Sequence, residues 1–164
     1  MAMAGQQSTD TETARVIARP PLLLFAALLI GFAADRLLPL PFPIPGTDLA
    51  YMITGVLTLI GVAVFSAGIR NFSRAGTPVQ GTKPTRALVT TGIHGWTRNP
   101  IYLGMFLLYA GVGVATRNPW ILILALPLAV MIRFGVVAAR EEAYLERRFG
   151  DAYRDYKAHV RRWL

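Results

Sequence analysis

The chain contains no cysteine, so disulfide bridges, thiolate zinc sites and covalent thiol catalysis are excluded. Histidine is nearly as scarce. With only His94 and His159, a metal centre built on imidazoles has too few ligands, and no metal site is expected. Acids are few as well: nine Asp and Glu stand against 17 Lys and Arg, for a formal charge of +8. No glycine-rich dinucleotide fingerprint follows a strand pattern and no phosphate-loop lysine motif occurs, which excludes a soluble nucleotide-binding fold. The basic residues do not form one stripe of the kind that tracks nucleic acid. They flank apolar runs, where membrane topology and anionic headgroups account for them.

What the chain has in abundance is apolar sequence, arranged in blocks. Of its 164 residues 54% are hydrophobic, and the mean hydropathy is +0.44. That pattern predicts a single membrane domain over residues 20–164, preceded by a polar, flexible cytoplasmic tail from Met1 to Arg19. Spans are expected at about Leu22 to Leu38, Leu49 to Ile69, Ile101 to Thr116 and Trp120 to Ala139. The first has Asp35-Arg36 where a cleaved signal would carry small residues, so it is expected to be retained. Pro39, Pro41, Pro43 and Pro45 cannot continue a helix and make a stiff connector. Arg117-Asn118-Pro119 turns the third span tightly into the fourth.

Charge sets the expected orientation. Arg70, Arg74, Lys83, Arg86 and Arg98 follow the second span, and Arg147, Arg148, Arg154, Lys157, Arg161 and Arg162 follow the fourth. Both termini and the long polar loop are therefore expected on the cytoplasmic side, with Arg117 a lone exception across the membrane. Beyond Glu141, Phe149, Tyr153, Tyr156, Val160 and Trp163 recur at helical spacing among basic residues, the pattern of an amphipathic helix lying in the interface. Gly150-Asp151 supplies a stop and a restart. The predicted fold class is thus all-α integral membrane, with about four transmembrane helices, a tight third–fourth hairpin and a C-terminal amphipathic cytoplasmic helix.

Polar groups crowd the cytoplasmic ends of these spans. Glu141 and Glu142 read either as a solvated helix start pairing with arginines or as carboxylates that hold a ligand's hydroxyls or cation. Adjacent helical positions point about 100° apart, so one can face a pocket while the other faces solvent or an arginine. Arg133, about two turns before Glu141, either snorkels to the headgroups or orients an anionic substrate. His94, Trp96, Arg98 and Asn99 cluster where the third span begins. Pro100 starts that helix, leaving first-turn amides for an anionic group, and Tyr102 stands one turn in.

The segment Leu88 to Gly104, the apolar hairpin, Glu141-Glu142 and Phe149-Gly150-Asp151-Ala152-Tyr153-Arg154-Asp155-Tyr156 together resemble the isoprenylcysteine carboxyl methyltransferase family, to which phospholipid methyltransferases are related. The resemblance covers Gln80 to Leu164. It implies an integral membrane enzyme of the prokaryotic inner membrane, using S-adenosylmethionine and releasing S-adenosylhomocysteine, with a lipophilic acceptor entering from the bilayer. By position, the resemblance places cofactor contacts on Gln80, Arg86, Ala87, Leu88, Val89, His94, Asn99, Pro100, Ile101, Tyr102, Glu141 and Glu142, and substrate orientation on Arg133. The family often has tyrosine at the place of His94 and histidine at that of Asn99; the residues here hydrogen-bond as well. A carboxylate acceptor is already nucleophilic, whereas an amine must lose a proton to one of few bases, which favours O-methylation of an isoprenylcysteine-like acid. Three alternatives stay open: a phospholipid or small-amine N-methyltransferase, a sterol-type reductase using reduced nicotinamide dinucleotide phosphate, and a non-catalytic membrane scaffold.

Overall fold

A computed structural model describes residues 20–43, 46–79, 84–132, 134 and 141–163. Among these residues there are six α-helices and no strand. The first, α1 (Pro20–Leu37), opens on a proline pair and stops before Pro39, Pro41 and Pro43. The second, α2 (Thr47–Arg74), carries Asp48 in its first turn and Arg74 in its last, each opposing the local end of the helix dipole. Both are long and apolar enough to cross a membrane. Leu22, Phe25, Leu29, Val56 and Leu59, among others, point outward from them, an apolar surface that suits lipid.

The helices α3 (Pro100–Ala115) and α4 (Pro119–Met131) follow each other across residues 116–118 and are in contact, each with proline in its first turn. Neither reaches eighteen residues, so length leaves a four-span bundle undecided. Past α4 the coil widens to π-type turns at Ile132 and Phe134, and again at Glu141 and Glu142. Residues 135–140, at the end of the fourth expected span, lie outside the described residues, as do residues 1–19.

One side chain ties the hairpin turn to α1. Asn118 is buried; its Oδ1 accepts from the Ile121 amide at 3.2 Å and its Nδ2 donates to the Gly31 carbonyl at 3.2 Å. Arg117, in the left-handed region at φ 53°, donates to the Gly46 carbonyl at 3.2 Å and lies over the Phe42 ring. The core between α1, α3 and α4 is Leu24, Ala27, Tyr109, Ile121, Leu128 and Ile132. On the other side α2 packs along α3 so closely that a Cβ on Gly104 would lie 2.7 Å from the Phe65 amide nitrogen and 2.8 Å from the Gly61 carbonyl oxygen.

The C-terminal part departs from expectation. Two helices, α5 (Ala143–Phe149) and α6 (Asp151–His159), are separated at Gly150 with φ 53°. Asp151 is the first residue of α6 and pairs with the Arg154 guanidinium instead of capping. Part of the aromatic face packs against the protein itself. Tyr153 is buried with Tyr144 and Leu145, and Leu88, Phe149 and Tyr156 pack on them. A periodic aromatic stripe has the same spacing whether a bilayer or the protein covers it.

The α2–α3 contact yields a test. Gly104→Ala must push two backbones apart and is expected to cost about 1–3 kcal/mol. Gly55, whose Cβ position is open, should accept alanine with no loss or a small gain. Thermal melts of both variants in detergent, against the unsubstituted protein, read the difference.

Candidate functional site

The start of α3, the start of α5, α6 and residues 160–163 meet around one cleft. Its walls are Leu88, Val89, His94, Arg98, Asn99, Glu141, Glu142, Leu145, Tyr153 and Tyr156, and it holds about 340 Å3, part of it open to solvent.

Several local devices build it. After α2, the Thr77 hydroxyl accepts from the Arg86 amide at 2.8 Å, and Tyr144 O–H accepts from the Thr85 amide at 3.0 Å. These two bonds hold Leu88 and Val89 against the cleft. A short 3₁₀ turn, Gly92–Gly95, then presents His94, whose carbonyl accepts from Tyr156 O–H at 2.6 Å. Residues 160–163 lie across the beginning of α3 as a strap. The Arg98 amide donates to the Arg161 carbonyl at 3.0 Å, while Asn99 Nδ2 and Thr97 Oγ1 donate to the Arg162 carbonyl at 2.9 and 3.2 Å. Trp163 closes that end, its ring centroid 5.8 Å from Phe106 and 6.5 Å from Tyr102.

The adjacent glutamates have different surroundings. Glu142 is grasped by two guanidinium groups: Arg162 donates through Nε and Nη2 at 2.6 and 2.7 Å, and Arg98 through Nη1 at 2.9 Å. Both of its oxygens are thus engaged by the protein. Glu141 receives a 2.5 Å hydrogen bond from Tyr102 O–H on Oε1, while its buried Oε2 finds no partner among the described residues. Burial pushes the Glu141 carboxyl up to about 7; the Tyr102 bond partly restrains this and the neighbouring Glu142 charge adds to it. Burial also lowers His94 to about 4, so the ring is neutral at pH 7. Tyr153 is raised to about 12, first by burial and then by Glu142.

Of the residues singled out in the sequence, Leu88, Val89, His94, Asn99, Glu141 and Glu142 line the cleft, and Tyr102 reaches it through Glu141. Others do not. The Arg86 side chain is exposed, and Arg86 and Ala87 serve through their backbone at Thr77. Pro100 and Ile101 turn to the other side of α3, against Gly68 of α2. Gln80 and Arg133 lie outside the described residues. Arg98, Leu145, Tyr153, Tyr156 and Arg162 were not among the sequence-derived contacts. Arg98 stood within the recognised cluster, Tyr153 and Tyr156 within the aromatic stripe and the family motif, and Arg162 among the orientation charges; none of these readings gave them a contact in the cleft.

A cationic nucleoside fits what is here. Leu88, Val89, Leu145 and two tyrosines offer an apolar and aromatic wall, and the unpartnered Glu141 oxygen offers a negative site beside it. No cluster of three metal-ligating side chains occurs among the described residues.

Two outcomes follow from this geometry. Glu141 contributes stability fully below about pH 4.5, and that contribution is lost as pH rises through about 7. His94 does the reverse, contributing fully above about 6.5 and losing it as pH falls through about 4. The two oppose each other in between. Glu141→Gln should therefore unmask a melting temperature that climbs with pH across the His94 window, steeper than in the unsubstituted protein. Separately, Glu142→Gln leaves two part-buried guanidinium groups short of a counter-charge and should destabilise by ~1.5–3 kcal/mol, read by chemical denaturation in detergent.

A family profile described as phospholipid methyltransferase matches residues 49–152, more than half of the chain. The chain is 39% identical over 100 residues to protein-S-isoprenylcysteine O-methyltransferase of Rattus norvegicus, covering 60% of this chain and 34% of that protein. With the Homo sapiens protein of the same name the figures are 35% over 115 residues, 66% and 39%. With that of Schizosaccharomyces pombe they are 36% over 73 residues, 44% and 30%. The chain therefore spans well under half the length of these curated relatives. On the match across α2, the cleft and α5, this chain belongs to the phospholipid methyltransferase family.

Proposed function

We propose that this chain is an integral membrane methyltransferase that uses S-adenosylmethionine to methylate a lipophilic acceptor at the cytoplasmic face, most plausibly the carboxylate of an isoprenylcysteine-like acid. The observation that carries the reading is the Glu141 carboxylate, buried in an apolar and aromatic cleft with one oxygen unspent. In this reading residues 20–164 form one domain, with four spans and both termini on the cytoplasmic side. The outward apolar faces of α1 and α2, and the entirely apolar sequence of α3 and α4, support that arrangement.

When bound, S-adenosylmethionine supplies an electrophilic methyl group on a positively charged sulfur. The protein's task is alignment and exclusion of water. Glu141, fixed by Tyr102, offers a negative charge or a hydroxyl-accepting oxygen to the cofactor. Leu88, Val89 and Leu145 exclude water around it, and Tyr153 and Tyr156 give flat surfaces for a base. The strap, held by Glu142 and the Arg162 carbonyl, covers the side where α3 rises toward lipid. A carboxylate acceptor is anionic at neutral pH and needs no base. The names of the relatives, which specify O-methylation of isoprenylcysteine, support that acceptor class.

Calorimetric titration of the detergent-solubilised chain with S-adenosylmethionine and S-adenosylhomocysteine tests the reading. Both are expected to bind, and Glu141→Gln should weaken S-adenosylmethionine by about tenfold or more, the scale of a hydrogen bond to a charged group. Binding of reduced nicotinamide dinucleotide phosphate instead would assign a reductase. Absence of binding by either would leave a scaffold, and undiminished affinity in Glu141→Gln would refute the pocket. Radiolabelled-methyl transfer to a prenylated cysteine acid, set against an aminophospholipid, then separates O- from N-methylation.

A further inference from the structure

The geometry points to Asn71 as a positioning residue that locks His94 in the tautomer protonated on Nε2, so that the cleft meets a hydrogen-bond donor there and not a base.

Asn71 stands one turn before the end of α2, outside the cleft, and its amide orientation is fixed by a backbone group. Nδ2 donates to the Thr91 carbonyl at 2.7 Å, which only the nitrogen end of the amide can do. The same nitrogen lies 3.3 Å from His94 Nδ1. Its second hydrogen points to that ring nitrogen, so Nδ1 must accept and the ring proton must reside on Nε2. Nothing in this contact allows the other tautomer, because two N–H groups would face each other. Phe72 meets the ring edge-on at 4.9 Å between centroids, and Tyr156 holds the His94 backbone through its carbonyl at 2.6 Å. A side chain at Gly92 would strike Asn71 Nδ2 at 2.6 Å, which keeps that turn open for the amide. The imidazole is neutral, as its burial requires.

The consequence bears on the acceptor class and rests on the methyl-transfer reading above. With Nδ1 occupied and Nε2 protonated, His94 has no lone pair to offer a substrate proton. Glu142 is committed to two guanidiniums. Among the cleft side chains only Glu141 keeps a free basic oxygen, and this same group faces the cofactor. A cleft so short of bases suits an acceptor that arrives already deprotonated. The Nε2–H then serves as a fixed donor to an acceptor atom of the cofactor, a ring nitrogen or a carboxylate oxygen.

The test uses the full chain in detergent micelles, labelled with 15N-histidine and carrying His159→Gln so that one imidazole remains. Long-range 1H–15N correlation at about pH 7 is expected to show Nε2 protonated and Nδ1 bare. A ring protonated on Nδ1, or a mixture of tautomers, overturns the inference with Asn71 itself unaltered. Asn71→Asp replaces the donor by an acceptor and is expected to move the proton to Nδ1. Retention of the original tautomer in that variant also overturns it. S-adenosylhomocysteine titrated into the same sample should shift the Nε2–H resonance, and Asn71→Asp should weaken its binding about fivefold, the value of one neutral hydrogen bond. Binding that leaves Nε2–H unmoved removes the cofactor role. Complete absence of binding, with the expected tautomer present, removes the methyl-transfer reading and leaves the role of Asn71 standing.

Discussion

A single buried carboxylate organises the polar end of this protein. Glu142 is contacted by Arg98 from the start of α3 and by Arg162 from the strap, and it belongs to the turn that opens α5. Charges so far from water are tolerable only when every lone pair is engaged and the opposing charge is close. Here two cations face one anion, leaving a net positive excess beside the cleft, and Tyr153 O–H accepts a longer bond from Arg98 at 3.4 Å. The strap, α6 and the α3 corner therefore stand or fall together.

With Glu142 holding the scaffold, Glu141 is free for chemistry. The difference between the two is one of partners, since both are almost wholly buried. A tyrosine hydroxyl satisfies one oxygen of Glu141 and leaves the other buried with no partner among the described residues. The wider coil at these two positions departs from regular helix where the acids are displayed, a common feature of functional segments. Apolar helices supply the low-dielectric flank that makes such a charge matter.

Much of this could be read along the chain. Proline after Asn99 and after Asn118 marks two helix starts, and the runs beside them are apolar enough to identify buried or lipid-facing helices. The corner around Arg98 and the paired glutamates attract notice because charges adjoining membrane-grade sequence are costly. What escaped was long-range. Arg162 and Asn71 act on partners 20 to 23 residues away or more, and no local pattern distinguishes a guanidinium that clamps Glu142 from one that meets headgroups. The aromatic stripe of α6 misled for a related reason: its period reports an apolar face and is silent about what lies against it. The resemblance put Pro100 and Ile101 beside Asn99 among the cofactor contacts, and because a helix turns consecutive residues about 100° apart, these two stand against Gly68 of α2.

The tight contacts at Gly31 and Gly104 differ in kind, and the difference constrains which substitutions the bundle can absorb. A Cβ at Gly31 would collide first with Ile121 Cγ1, a side-chain atom, at 2.6 Å. Trimming the partner relieves that closest approach and leaves the Ile121 main chain at 3.2 Å, a contact that a shift of a few tenths of an ångström absorbs. Gly104 would collide with the main chain of Gly61 and Phe65, which no exchange of residue can trim. A side chain at position 104 requires the two helices themselves to separate, and because Tyr102 rides on the same α3 turn, that movement reaches the Glu141 contact as well as the bundle.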